Sequence, residues 1–84
     1  MNEQILFAKI QEAIADILDL DADEIKMESK LINDLGAESI DMLDIASELE
    51  KIVNQEVNLA QLRAALPNNR PMIVGDLVNF LKSL

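Results

Sequence analysis

Apolar residues return at helical spacing along most of this chain. Leu6, Ile10, Ala13, Ile14, Ile17 and Leu18 recur three or four apart, with Glu3, Lys9, Glu12 and Asp16 between them. That is the pattern of an amphipathic helix. Asn2 is suited to cap its start, and the Asp19–Asp23 region ends it. A second helix is predicted from about Ser39 to Val53. At about 100° per residue, Met42, Ile45, Ala46, Leu49, Ile52 and Val53 gather on one side. Asp41, Asp44, Ser47, Glu48 and Lys51 gather on the other. Ile40 breaks this division. It projects about half a turn away from Leu49, among the acids, either as a stray exposed side chain or as a contact for a partner. A shorter helix, about Leu59 to Leu66, is stopped by Pro67 and the Asn68–Asn69 pair. A final helix, about Ile73 to Ser83, turns Val74, Leu77, Val78 and Leu81 inward.

Between the first two helices runs a long connection, about Leu20 to Glu38, with Ile25, Met27, Leu31, Ile32 and Leu35 as isolated apolar anchors. Loops of this length inside a compact domain are uncommon and often functional. The prediction is an all-α fold: a small helical bundle of three principal helices plus one short helix, with a long loop between the first two. The 84 residues leave no room for two cores, so a single domain spanning residues 1–84 is expected. A domain of this size buries only roughly 60–65% of its extended-chain surface, which leaves a thin stability margin.

Composition narrows the chemistry more than any pattern does. The chain has no cysteine and no histidine, which excludes disulfides, thiolate nucleophiles, cysteine zinc sites and an imidazole base. A serine here has no histidine to activate it, so no serine-hydrolase triad can form. Phe7 and Phe80 are the only aromatic residues. The core is therefore aliphatic with methionine filler, the composition of a core able to open for a guest as well as of an ordinary one.

The formal net charge is −9. Ten acids between Asp16 and Asp44 face Lys26 and Lys30, a local net of −8, whereas residues 57–84 carry +2. Such a surface repels nucleic acid and anionic membranes and attracts basic protein patches. The amino terminus shows no basic start followed by an apolar run, and no stretch has the length of a membrane span. A cytoplasmic monomer is expected.

The run Asp34-Leu35-Gly36-Ala37-Glu38-Ser39-Ile40-Asp41 places a serine hydroxyl at the mouth of the second helix. Gly36 permits a left-handed turn there, and Glu38 or Ser39 caps the helix. A phosphodiester on that serine would meet unpaired N–H groups. On the residues alone, Ser39 as a simple cap and Ser39 as a modified hydroxyl both stand.

The octet resembles the attachment motif of acyl carrier proteins, Asp-Leu-Gly-Ala-Asp-Ser-Leu-Asp, matched by Asp34, Leu35, Gly36, Ala37, Ser39 and Asp41 with Glu38 and Ile40 as conservative departures. The order of helices and the chain length resemble that family as well. The resemblance implies a carrier without catalytic residues of its own. Ser39 would bear a covalent 4′-phosphopantetheine arm, taken from coenzyme A by a magnesium-dependent phosphopantetheinyl transferase. Glu38, Asp41, Asp44 and Glu48 would form an acidic recognition face for basic patches of acyl-transferring and acyl-modifying enzymes, with Ile40 as its apolar contact. The thiol that this chain lacks would arrive on the arm. An acyl thioester would then swing between active sites of fatty acid, specialised lipid or polyketide biosynthesis, or fold its chain between the helices.

Three features depart from the family pattern: Lys51 on the acidic stripe, a longer 59–72 segment holding Pro67 and Pro71, and a last helix without a threonine-type cap. They point to a dedicated pathway at least as strongly as to housekeeping fatty acid synthesis. Two other readings remain open at this stage. One is a peptidyl or aminoacyl carrier, and the other is an unmodified acidic helical adaptor. Asp19, Asp21 and Asp23 resemble the opening of an EF-hand loop. The sixth position is Glu24 rather than glycine and the twelfth is Lys30 rather than glutamate, so no metal site is assigned.

Overall fold

The computed structural model describes residues 2–84. It contains α1 (Glu3–Leu18), one 3-10 turn (Ala22–Glu24), α2 (Ser39–Val53), α3 (Leu59–Ala65) and α4 (Val74–Lys82). The described residues form no strand, only one isolated antiparallel bridge between Lys30 and Ile73. The all-α bundle expected from the apolar spacing is therefore present, with each helix within a residue of its predicted bounds.

α1 packs against both α2 and α4, and the short α3 packs against α2. Leu6, Ile10 and Ile14 form the buried stripe of α1, and Ile45, Ala46 and Leu49 that of α2. α4 is the most deeply set helix, with Val74, Leu77, Val78, Phe80 and Leu81 all buried. Ala13, Ile17 and Leu18 are half-buried, and Ile17 and Leu18 pack against the edge of the core. Asn2 caps α1 as expected, its Oδ1 accepting from the Ile5 N–H at 2.9 Å. Asp19 closes α1 in the left-handed region with φ 58°. At the end of α2, Asn54 takes the same conformation with φ 53°, as suits Asn and Asp better than other residues that have a Cβ.

The long connection is held at several points. Gln11 Nε2 donates to the carbonyls of Ala22 (2.8 Å) and Ile25 (2.9 Å), which pins the 3-10 turn onto α1. Ile25 and Leu31 are fully buried anchors. Of the other expected anchors, Met27 and Leu35 are half-buried against the core, whereas Ile32 is 66% exposed. Its neighbour Leu31 takes the inward position, and a one-residue offset in an irregular turn sends the next side chain outward. The connection also pairs with the entry to α4. The Leu31 N–H donates to Met72 O at 3.0 Å, Val74 N–H to Ser29 O at 3.0 Å, and Gly75 N–H to Met27 O at 2.8 Å. A Cβ on residue 75 would stand 3.3 Å from that Met27 oxygen, so a glycine lets the two backbones meet.

α4 starts without a capping hydroxyl, as the sequence indicated, and its start is secured from inside. Asp76 in its first turn accepts from the Ile73 N–H at 2.9 Å. The same carboxylate takes both arms of Arg70, at 3.0 and 2.7 Å. Burial of an unpaired carboxylate would be unfavourable, and the bidentate fork satisfies it. Composition gives no sign of this role for Asp76, which in the sequence is one acid among many. Within the 59–72 segment, the stretch between Pro67 and Pro71 brings Arg70 to the α4 entry.

Candidate functional site around Ser39

Each residue of the octet has a distinct local task. The Asp34 carboxylate accepts from the Lys30 N–H at 2.9 Å and closes the turn over residues 30–34. Leu35 packs against the core, and Ala37 is buried. Gly36 sits at φ 76°, in the left-handed region, with open space where a Cβ would stand. Its requirement is therefore conformational rather than steric. The N–H groups of Gly36 and Ala37 donate to Ile32 O (3.1 Å) and Leu31 O (2.9 Å), which returns the chain to α2.

Glu38 occupies the N-cap position of α2 and Ser39 is the first helical residue. The cap is made from the helix side: Asp41 Oδ2 accepts from the Glu38 N–H at 2.8 Å. Of the two candidates for the cap, neither Glu38 nor Ser39 supplies the acceptor. Ser39 is thus released from a capping duty.

The chain has four serines and no threonine or tyrosine, so its hydroxyls can be surveyed completely. Ser29 is buried and its Oγ accepts from the Lys26 N–H at 2.9 Å. The Ser83 hydroxyl donates to Phe80 O at 2.6 Å. Ser39 and Ser47 are exposed, and among the described residues their hydroxyls make no hydrogen bond. Ser39 differs from Ser47 in its surroundings. It lines a crevice of about 190 Å³ together with Leu31, Ile32, Met42, Leu62, Arg63 and Met72, between α2, α3 and the long connection.

The acids expected to face partners lie along α2. Asp44 is exposed, Asp41 and Glu48 are half-buried, and Glu38 is exposed at the helix mouth. Ile40 is 67% exposed, as its phase required. Leu43, one turn further on, is 54% exposed and was not singled out from the sequence. The signal was present in its spacing: three residues after Ile40, it falls on the same stripe. Lys51 forms an ion pair with Glu48 at 3.1 Å, so the charge of this acid is partly matched within the chain.

A family model described as the phosphopantetheine attachment site matches residues 8–68. The chain is 38% identical over 79 residues to the acyl carrier protein of Clostridium acetobutylicum, covering 94% of this chain and 95% of that one. It is 31% identical over 81 residues to the acyl carrier protein of Thermotoga maritima, covering 96% and 93%. Over 52 residues it is 44% identical to the acyl carrier protein of Clostridium perfringens, covering 62% and 68%. The chain belongs to the acyl carrier protein family, whose members carry 4′-phosphopantetheine and act as carriers rather than catalysts.

The residues present fit that group. An exposed hydroxyl stands in the first turn of α2, where backbone N–H groups favour an anion, and an apolar crevice opens beside it. No helix among the described residues is long and apolar enough to cross a membrane.

Proposed function

We propose that Ser39 is the attachment residue, and that the chain delivers acyl groups to enzymes of fatty acid, specialised lipid or polyketide biosynthesis as a cytoplasmic monomer. The observation that carries this reading is the Ser39 hydroxyl, exposed, without a hydrogen bond among the described residues, and lining an apolar crevice. When attached, the arm supplies the thiol on which acyl groups are held as thioesters. The chain's own residues do the rest. The Asp34 turn, Gly36 and the Asp41 cap hold Ser39 outward, and the crevice offers shelter to apolar cargo. Incubation with coenzyme A, magnesium and a phosphopantetheinyl transferase is expected to add one phosphopantetheine to the intact mass. Folded protein that stays unmodified with several transferases refutes the reading.

Glu38, Ile40, Asp41, Asp44 and Glu48, with Leu43, are assigned to the docking face for basic partner patches. Asp44 is exposed and makes no ion pair among the described residues, so Asp44→Lys should slow arm transfer and weaken its dependence on salt. Ile40→Ala should slow transfer while leaving the melting temperature of the free protein unchanged, because the side chain is already in water. A substantial fall in melting temperature would show that Ile40 serves the fold instead.

Cargo shelter is measured by stability. Each buried methylene should stabilise the acyl form by about 0.8 kcal/mol, since anything bound only to the native state raises its stability. Thermal melts of the free-arm form and of acyl forms of increasing length should therefore climb until the crevice is full. Melting temperatures independent of chain length would show that the cargo stays outside.

A further inference from the structure

Among the described residues, Arg63 is the one charged side chain lining the crevice that opens at Ser39. It stands on α3 next to Leu62, which is fully buried, while Arg63 itself is exposed. Three other cations of the chain are already committed. Lys51 pairs with Glu48, Arg70 with Asp76 at 2.7 Å and Lys82 with Glu3 at 3.3 Å. Among the described residues Arg63 takes part in no ion pair and no side-chain hydrogen bond. Lys9, Lys26 and Lys30 are also outside these pairs, but none of them lines the crevice. Among the described residues, a guanidinium outside any ion pair thus lines the same crevice as the hydroxyl assigned to modification, and the other lining residues are apolar.

We propose that Arg63 is the counter-ion of the phosphodiester on Ser39, and that this pair directs the arm along α3 and into the crevice. The proposal rests on the assignment of Ser39 as the attachment residue. Attachment puts a negative charge between Glu38 and Asp41, two carboxylates that raise its energy by like-charge repulsion. The non-bridging phosphate oxygens would carry that charge beside the crevice that Ser39 and Arg63 both line. A guanidinium fork matches two such oxygens with two parallel N–H donors, which a lysine ammonium cannot do in the same geometry. The consequence is directional. Without Arg63, the charge of the arm favours open solvent; with it, the arm starts towards Leu62, Met42 and Met72. A partner enzyme that presents its own cation to the phosphate then releases the arm from the crevice.

The test uses nitrogen-labelled wild-type, Arg63→Gln and Arg63→Lys proteins, each with and without the arm. Intact mass reports loading and apo melting temperatures report folding. Loading should shift the Arg63 Nε–H resonance in the wild type and produce NOEs from the arm to the methyls of Leu62, Met42 and Met72. In Arg63→Gln those NOEs should weaken by about threefold, the size of one partly exposed ion pair, with loading and apo melting temperature retained. Arg63→Lys should recover only part of the signal, and raised salt should erode the wild-type signal. An Arg63 resonance that ignores loading, with equal arm contacts in Arg63→Gln, overturns the proposal. So does a response seen only when the arm bears a cargo ending in a carboxylate, which would make the cargo the partner of Arg63. A wild-type chain that takes no arm overturns the Ser39 assignment and this proposal together, and the mass alone reveals it.

Discussion

Ser39→Ala is expected to abolish phosphopantetheine loading completely while leaving the fold intact. The two effects separate because, among the described residues, no side chain depends on the Ser39 hydroxyl for a hydrogen bond. The α2 cap is supplied by Asp41, and among the described residues the Ser39 hydroxyl bonds to nothing in the chain. Alanine is a better helix former than serine, so the melting temperature should stay the same or rise slightly. The remaining hydroxyls do not substitute. Ser29 is buried and bonded, Ser83 is bonded to Phe80, and Ser47 stands in the middle of α2 away from the crevice mouth. Intact mass after transferase treatment measures the loss, and a melt of the same sample measures the fold. An arm found on Ser39→Ala would remove the site assignment and leave the family membership standing. A variant that fails to fold would show instead that the serine serves as structure.

Asp76→Ala should produce the largest loss of stability among the substitutions considered. Asp76 is 8% exposed, caps α4 through the Ile73 N–H and receives both arms of Arg70. Loss of an N-terminal cap and of a buried charge-assisted acceptor is expected to destabilise the fold by about 1–2 kcal/mol. For a domain of this length that lowers the melting temperature by roughly 5–15 °C. Asp76→Asn keeps an acceptor for Ile73 but no charge, and should fall between wild type and alanine. The effect reaches the site because Met72, which lines the Ser39 crevice, lies between Arg70 and Asp76 and accepts from the Leu31 N–H.

The same contact gives a pH dependence of known sign. Hydrogen bonding from Arg70 lowers the Asp76 carboxyl below its usual range, burial opposes this, and the Ile73 N–H and the Arg70 charge reinforce it. A carboxyl depressed in the folded state binds its proton more readily when unfolded. Its contribution is therefore complete above the unfolded value of about 4 and is lost as pH falls through the lower folded value. The stability gap between wild type and Asp76→Asn should be constant above about pH 5 and shrink at more acid pH. A gap that holds its size down to pH 2 would show that the ion pair contributes nothing to stability.

Spacing of apolar residues determined the helices of this protein, because a helix must bury one stripe and each stripe here is written at its own period. Leu6, Ile10 and Ile14, then Ile45, Ala46 and Leu49, then Val74, Leu77, Val78 and Leu81 are legible without coordinates and lie in the core. The outward phase of Ile40 was legible for the same reason, and the octet identified the candidate serine. Three matters were decided only by tertiary structure, since each depends on where distant parts of the chain meet. The irregular connection has no period, so its pairing of Met27, Ser29 and Leu31 with Met72, Val74 and Gly75 could not be read, nor could the outward turn of Ile32. Arg70 and Asp76 become a pair because the α4 entry folds the segment back on itself. Arg63 becomes a neighbour of Ser39 because α3 packs on α2, which brings residues 24 positions apart in sequence to one crevice. A period along one helix reports which side faces inward, and it carries no information about which residue of another helix waits there.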